Sequence, residues 1–146
     1  MPRVSQKVAQ ETRRRIISTA FKMILNDGFE SLTFTNIAKS AEISRSGINA
    51  HFKKKEDLIH EIEPLMVNLI VTRLDFTSAK NFWDSWVNQV DNEKDFQHVI
   101  LCSIEFSFSK TGFENLINAI DGDPEECTKI AYQAVGYAQI HLNKKE

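Results

Sequence analysis

Residues Leu32 to Leu58 read LTFTNIAKSAEISRSGINAHFKKKEDL, and this stretch decides the fold. Thr33 can cap one short helix, and Ser44 can cap a second helix that runs to about Phe52. Ala41 to Ile43 is left between the two helices as a tight turn. This arrangement is typical of a helix-turn-helix, whose second helix lies in the major groove of DNA.

The second helix has an apolar side and a polar side. The apolar residues that can anchor it are Ile43, Ile48 and Phe52. The outward positions that we expect to face the bases are Arg45, Ser46, Gly47 and Asn49. Arginine pairs well with guanine and asparagine with adenine, so Arg45 is best suited to a guanine and Asn49 to an adenine.

Charge is distributed unevenly along the chain. Residues 1–60 contain 11 Lys and Arg against 6 Asp and Glu, whereas residues 61–146 contain 7 against 14. A basic end attracts phosphate and an acidic end is repelled by it, which orients the protein on a duplex. The runs Arg13 to Arg15 and Lys53 to Lys55 could each be an ordinary solvated face. Beside a helix-turn-helix, we interpret them as phosphate contacts.

Several short motifs follow one another in a fixed order over about the first 60 residues. They are Arg15, Gly28-Phe29, Thr33, Ile37-Ala38, Ser44, His51-Phe52 and Lys55-Glu56-Asp57-Leu58. In this order and spacing the chain resembles the TetR family of bacterial transcriptional regulators. The resemblance implies a homodimeric repressor that binds a pseudo-palindromic operator and is released by a small effector. It also implies phosphate contacts from His51 and Lys55, to which position and charge add Thr33 and Lys53.

Three residues depart from the family pattern. Glu42 lies in the turn where the family usually has Gly, and a positive φ there costs a non-Gly residue about 1 kcal/mol. Asn49 replaces the usual Tyr, so a tyrosine contact to the DNA backbone cannot be carried over. Gly47 stands where Thr, Ala or Ser is common, and either a close approach of DNA or plain drift could explain it.

The remaining sequence predicts helices and no convincing strand, hence an all-α fold. We expect a helix-turn-helix domain at residues 1–54 and a helical dimerisation and ligand-binding domain at residues 55–146. The predicted helices outside the helix-turn-helix span about residues 5–26, 55–75, 79–90, 92–109, 113–120 and 124–142. Pro64 interrupts the second of these and must kink it or begin a new helix, and a hinge is the alternative reading.

The last predicted helix carries a stripe of small side chains that would let another helix approach closely. The residues we expect at a dimer interface are Ile130, Ala131, Ala134, Val135, Ala138 and Leu142. In the resembled family, the last helices of two subunits form a four-helix bundle. The alternative is that the same residues belong to the core of a single chain.

Aromatic residues are concentrated in the second part, with 10 in residues 61–146 and 4 in residues 1–60. They could line a pocket for a small apolar or aromatic effector, or they could simply be core. The candidate ligand contacts are Phe82, Trp83, Trp86, Phe106 and Phe108. The alternative function is a DNA-bound dimer that binds no small molecule and instead contacts a protein partner.

Other classes of function find little support. The sequence has no nucleophile elbow, no Gly-rich phosphate loop and no metal-ligand spacing, so we expect no enzyme, cofactor or metal. Cys102 and Cys127 are isolated, and buried structural thiols are favoured over a redox switch. No apolar run is long enough to cross a membrane and no signal peptide is recognisable, which favours a cytoplasmic protein.

Overall fold

The computed structural model describes residues 2–106 and 110–142, and these residues form helices without any strand. The all-α prediction is therefore confirmed for this part of the chain. A short 3-10 helix (Phe29–Ser31) follows the first helix. The α-helices are α1 (Pro2–Asp27), α2 (Phe34–Ala41), α3 (Arg45–His51), α4 (Lys55–Arg73), α5 (Ala79–Asn92), α6 (Lys94–Phe106), α7 (Lys110–Ala119) and α8 (Pro124–Leu142).

Helix α1 buries one stripe of its surface. Ile16, Ala20 and Ile24 are fully buried, and their spacing of four residues places them on one face of the helix. The helix ends at Gly28, whose φ of 83° is favourable for glycine and turns the chain into the 3-10 segment. The buried stripe packs against α2, α4 and α6, so α1 belongs both to the helix-turn-helix and to the body behind it.

Helix α4 continues through Pro64 without dividing into two helices. Leu58, Ile62, Met66 and Ile70 recur every four residues and are buried, which fixes this face of α4 in the core. Proline lacks the N–H that would bond the carbonyl four residues earlier. Pro64 and His60, whose carbonyl is the one left without this bond, are both exposed. Water can therefore hydrogen-bond the carbonyl in place of the missing N–H. The hinge hypothesis stays a prediction.

A single hydrophobic core joins the amino-terminal helices to the body. It extends from Ile16 in α1 to Ala138 in α8, and α6 lies centrally because it packs on α1, α4, α5 and α8. The ring Nδ1 of His98 in α6 also makes a 2.8 Å hydrogen bond with the carbonyl of Leu25 in α1. Core packing thus continues across the predicted boundary near residue 54, and the division into two domains stays a prediction.

The aromatic residues of α5 form part of this core. Trp86 lies between Phe82 and Phe96, with both ring centroids at 5.7 Å from its own, and all three side chains are fully buried. Phe76 continues the stack at 5.5 Å from Phe82. The interpretation of Phe82 and Trp86 as ligand contacts gives way to the alternative that they are core, because no part of either side chain is accessible.

Helix α8 turns its small residues inwards. Ala131, Ala134 and Ala138 are fully buried, and α8 packs on α5, α6 and α7 of the same chain. The side chains of Ile130, Val135 and Leu142 are half-buried at the edges of this contact. The small side chains thus serve close packing within one chain, and a partner helix would have to approach the other face of α8.

Candidate nucleic-acid interface

The two short helices begin with the predicted caps. The Thr33 hydroxyl accepts a 3.0 Å hydrogen bond from the backbone N–H of Asn36, and the Ser44 hydroxyl accepts one of 3.0 Å from the N–H of Gly47. Each bond satisfies an amide that the first turn of a helix leaves without a partner. The hydroxyl hydrogen of exposed Thr33 remains able to donate to a phosphate oxygen at the start of α2.

The turn between α2 and α3 is left-handed at Glu42. This residue has φ 56° and ψ 45°, and among the described residues it is the one non-glycine with a positive φ. The amide of Ile43 donates to the carbonyl of Ala38 at 3.0 Å, which closes the end of α2. Arg15 of α1 reaches the carbonyl of Glu42 at a long 3.5 Å. The turn keeps the geometry in which the resembled family uses Gly, and Glu42 bears the strain.

Helix α3 is anchored by its apolar side and exposes its polar side as predicted. Ile48 and Phe52 are buried, whereas Arg45, Ser46 and Asn49 are exposed. The base-facing assignment of these three polar residues stays a prediction, and their exposure is compatible with it.

The Arg45 side chain is folded back onto α2. Its Nη1 donates to the Thr35 hydroxyl at 2.9 Å, and its guanidinium lies 5.8 Å from the centroid of the Phe34 ring. Both contacts are at the surface and are individually weak. Arg45 must leave Thr35 to reach a guanine, which a long exposed side chain can do without moving the helix.

Gly47 faces the turn that precedes it. A Cβ at this position would lie 2.8 Å from Cγ2 of Ile43 and 3.1 Å from the capping hydroxyl of Ser44. The first distance is shorter than carbon atoms tolerate, and Cγ2 is fixed next to the backbone of a β-branched residue. Internal packing thus accounts for the glycine, and the expected close approach of DNA is not needed to explain it.

The lysines after α3 differ in what they contact. The side chains of Lys53 and Lys54 are exposed and make no ion pair or hydrogen bond with the part of the chain that the structure describes. Lys55 is half-buried, and its Nζ donates to the carbonyl of Phe29 at 3.2 Å. The same Nζ lies 5.6 Å from the centroid of the Phe29 ring. Lys53 can therefore meet a phosphate directly, whereas Lys55 already holds the start of α4 against the 3-10 helix.

Arg13 connects three helices around the end of α3. Its guanidinium lies 4.4 Å from the centroid of the Phe52 ring, and its Nη1 donates to the carbonyl of His51 at 3.2 Å. Its Nη2 pairs with the carboxylate of Glu61 in α4 at 2.9 Å. Arg13 is therefore an internal bridge, whereas its neighbour Arg14 is exposed and suits the phosphate role expected of the basic run.

Some surface residues beside the interface escaped the sequence analysis. Thr35 lies within reach of Arg45, and Ala50 is exposed on α3 beside Asn49. Helical spacing could have indicated Ala50, because it follows Ser46 by one turn. The role of Thr35 depends on a contact between two helices, which spacing within one helix does not reveal.

The four candidate ligand residues that the structure describes do not surround a common cavity. A cleft of about 240 Å³ lies between α4, α6 and α7, and the apolar residues in its lining are Val67, Ile70, Val71, Phe76, Leu116 and Ala119. Trp83 instead packs edge-on against Tyr137 at 5.4 Å, and Phe106 packs against Phe29 at 5.2 Å. Phe108 lies outside the described residues. Phe82, Trp83, Trp86 and Phe106, the four predicted residues that the structure describes, are thus not part of the lining of this cleft.

The part of the chain that forms the two capped helices and the turn between them also matches a known protein family in sequence. Residues 16–62 match the model for "Bacterial regulatory proteins, tetR family". These residues form a TetR-family domain. The resemblance drawn from the motifs is confirmed, and the TetR-family domain comprises the carboxyl-terminal part of α1 from Ile16 onwards, all of α2 and α3, and the start of α4.

Relatives that match this chain are described as HTH-type transcriptional regulators. A stretch of 62 residues is 40% identical to the HTH-type transcriptional regulator AcrR of Shigella flexneri, covering 42% of this chain and 29% of AcrR. Stretches of 86 residues are 30% identical to the regulator SrpR and to the uncharacterized regulator TtgW, both of Pseudomonas putida. They cover 59% of this chain, 39% of SrpR and 63% of TtgW. The matched region thus spans less than two thirds of each relative, and each is described as a regulator.

One solved structure is similar over most of the chain. It is the Flavonoid-responsive Regulator FrrA, with a TM-score of 0.42, 14% sequence identity, and coverage of 90% of this chain and 96% of that one. In residues 2–106 and 110–142, no helix is long and apolar enough to cross a membrane. The same residues contain no group of three or more His, Cys, Asp or Glu that could hold a metal ion.

Proposed function

We propose that this protein is a DNA-binding transcriptional regulator that reads an operator with α3. The observation that carries the proposal is a capped, anchored helix with Arg45, Ser46 and Asn49 exposed, next to lysines without internal partners among the described residues. Phosphate contacts from such lysines supply affinity, and side chains on α3 supply sequence preference. The amino-terminal family match supports the same role. A bacterial regulator of this kind acts in the cytoplasm, where its DNA lies.

The proposed regulator acts as a homodimer on a pseudo-palindromic site. A dimer places two copies of α3 in successive major grooves about 34–36 Å apart, which multiplies the specificity of one short helix. Repression follows because a bound dimer occludes the promoter.

The proposed dimer contact is the outward face of α8. Tyr132 is 65% exposed and Ile140 is 76% exposed, and a Cβ at Gly136 between them would meet no atom within 4 Å. These three positions follow one another at intervals of four residues, so they form one stripe. Of the residues expected from the sequence, half-buried Ile130, Val135 and Leu142 border α8's packed face and remain available at its edges.

Release by a small effector is the proposed form of control. The cleft between α4, α6 and α7 favours a ligand-binding body over a body that binds no small molecule. The cleft is apolar and open, and it lies beside α4, the helix that continues from the TetR-family domain. Control by a protein partner in place of a small molecule is the competing proposal, and the exposed aliphatic residues Leu65 and Val67 of α4 are the observation that favours it.

Selection of randomised duplex DNA by the purified chain tests the proposed function. We expect enrichment of an inverted repeat whose half-sites are about one helical turn apart. Enrichment of a single unrepeated half-site would overturn the dimer, and enrichment of no sequence would overturn sequence-specific regulation.

Sedimentation of the free chain, compared with Ile140→Glu, tests the α8 contact. The substitution should shift the protein to monomer because it places a charge in an apolar interface.

A further inference from the structure

The cleft between α4, α6 and α7 has an unbalanced charge. Its lining includes one ionisable side chain, the carboxylate of Glu63, and no Lys, Arg or His among the described residues. The Glu63 side chain is 36% exposed, so its charge is partly removed from water. A single carboxylate beside apolar surface repels anions and attracts cations.

The present partner of Glu63 can be displaced. His60 Nδ1 lies 3.4 Å from Glu63 Oε2, but the His60 side chain is 83% exposed and lies outside the cleft. Exposed pairs of this kind contribute little to stability, since water screens them and the side chains lose freedom. A cation in the cleft could therefore take over the carboxylate at small cost.

The rest of the lining defines the body of such a ligand. Val67, Val71 and Leu116 offer aliphatic surface, and Phe76 offers an aromatic ring, whose face attracts cations. The polar lining residues Ser103 and Asn115 can hydrogen-bond a ligand without adding charge. A volume of about 240 Å³ lies below the range of roughly 300–1,000 Å³ typical of sites for drug-sized molecules.

We propose that this cleft binds a small organic cation with an apolar or aromatic body, and that Glu63 neutralises its charge. The inference deepens the proposed function, because it gives the chemical class of the effector and rests on the chain being an effector-controlled regulator. A quaternary ammonium compound is the simplest ligand of this class, because it is permanently charged and has no N–H to donate.

Helix α4 connects this carboxylate to the TetR-family domain. Glu61 lies two residues before Glu63 on the same helix and pairs with Arg13, which holds the carbonyl of His51 at the end of α3. A ligand that shifts this part of α4 would act on the Arg13 bridge. Cation binding should therefore weaken operator binding, and by linkage the operator should weaken cation binding by the same factor.

Calorimetric titration of the full chain with two probes tests the assignment. The probes are benzyltrimethylammonium and the neutral N,N-dimethylbenzamide, which are similar in size. We expect the cation to bind the unmodified chain about fivefold more tightly or better, and Glu63→Gln to remove this preference while leaving the amide unchanged. Glu56→Gln is the matched control, since Glu56 lies on α4, is exposed and does not line the cleft.

Each other result would overturn the assignment. Equal cation binding by the unmodified chain and by Glu63→Gln would show that Glu63 is not the group that neutralises the cation. Equal binding of the two probes would show that the cleft does not prefer a charged ligand to a neutral one. Absence of binding by either probe, in a chain whose thermal unfolding is normal, would also overturn it. His60→Ala should strengthen cation binding, because it removes the competing partner of Glu63.

The same variants separate this inference from the proposed function. If the chain selects an inverted repeat but shows no Glu63-dependent cation binding, the cation site is wrong and the regulator stands. If no DNA sequence is enriched while cation binding depends on Glu63, the cleft assignment stands and the proposed regulator fails. A cation that binds through Glu63 and leaves operator affinity unchanged would overturn the role of α4 as the connection.

Discussion

Arg13 and Phe52 are in contact between α1 and the end of α3, with the guanidinium 4.4 Å from the centroid of the ring. Phe52 is buried directly after α3, and the same guanidinium donates to the carbonyl of His51, the last residue of α3. A cation at the carboxyl end of a helix stabilises the carbonyls that the helix leaves without partners. One side chain of α1 therefore stabilises the carboxyl end of α3.

Arg13→Ala should lower the free energy of unfolding by roughly 1–3 kcal/mol, because a hydrogen bond from a charged group and a cation–π contact are both lost. Urea denaturation measures the change. Arg14→Ala is the matched control, since Arg14 is exposed, and it should leave stability nearly unchanged. Arg13→Lys should restore only part of the loss, because lysine cannot serve His51 and Glu61 with a planar fork. Equal effects of Arg13→Ala and Arg14→Ala would contradict the bridge.

Arg45→Ala and Lys53→Ala should affect DNA binding differently. Loss of a base contact by Arg45→Ala should cost about 1–3 kcal/mol and relax the preference at one base pair. Loss of a phosphate contact by Lys53→Ala should weaken binding to all sequences alike and reduce the salt slope by about one unit. Binding isotherms on the selected operator and on single-base variants, at several salt concentrations, distinguish them. A uniform loss for Arg45→Ala would remove it from the base-reading set.

Glu42→Gly should stabilise the protein by about 0.5–1 kcal/mol, because glycine adopts the left-handed conformation of this turn without the strain that Glu42 bears. Glu42→Ala is the control for removal of the carboxylate, and it should give no such gain, since alanine keeps the Cβ. Thermal unfolding of the three proteins measures both effects. If Ala stabilised as much as Gly, the charge and not the backbone would be responsible.

Gly47→Ala should destabilise the protein even though alanine is the better helix former by about 1 kcal/mol. Its Cβ would meet Cγ2 of Ile43 at 2.8 Å, so either the turn or α3 must shift. Ile43→Leu removes the branched methyl and should rescue Gly47→Ala in the double variant. A double-mutant cycle of unfolding free energies measures this coupling. Additive effects would show that the Ile43 contact does not restrict Gly47.

Cys102 should be nearly unreactive in the folded protein. Burial is the main cause that raises the pKa of its thiol from 9.0 to about 11, while nearby Lys55 acts weakly in the opposite direction. At pH 8, a pKa near 11 leaves about one thiolate in a thousand. Alkylation by iodoacetamide, followed by peptide mass spectrometry, should be slow in buffer and rapid in urea. Rapid labelling in buffer would show that the thiol is accessible.

The same thiol predicts how stability depends on pH. The folded state keeps Cys102 protonated, while the unfolded state ionises it at the ordinary pKa of 9.0. Unfolding thus releases a proton between pH 9.0 and about 11, and the free energy of unfolding should fall as the pH rises through this window. The free energy of unfolding of the Cys102→Ala variant should fall less steeply over the same pH range. Urea denaturation of both proteins at each pH measures the difference.

The caps and the turn could be predicted from sequence because their chemistry is local. Thr33 and Ser44 each bond an amide three residues ahead, and the position of Glu42 between two capped helices indicates a tight turn. Such signals depend on residue type at a fixed spacing along one stretch of chain. The helices of the body were found for the same reason, since buried residues recur with the helical period.

Roles that depend on a distant partner could not be predicted. Arg13 and Lys55 look like any other basic residues in the sequence, and the partner of each lies on another helix, at His51 and Phe29. Aromatic residues have the same spacing around a core as around a cavity, which is why Phe82 and Trp86 suggested a ligand site. Glu63 was overlooked because a carboxylate on a helix gives no sign of which cleft it borders.

The hydrogen bond between His98 and Leu25 joins residues 73 positions apart. Until α6 has been synthesised, the apolar stripe of α1 therefore lacks part of the surface that covers it. Contacts of such long sequence separation form late and slow the folding of small domains. A nascent chain that ends after α3 already contains most of the residues proposed to touch DNA, but it lacks α4 and α6, against which α1 packs. We therefore expect the proposed reading of an operator to begin only when residues far from the duplex have joined the fold.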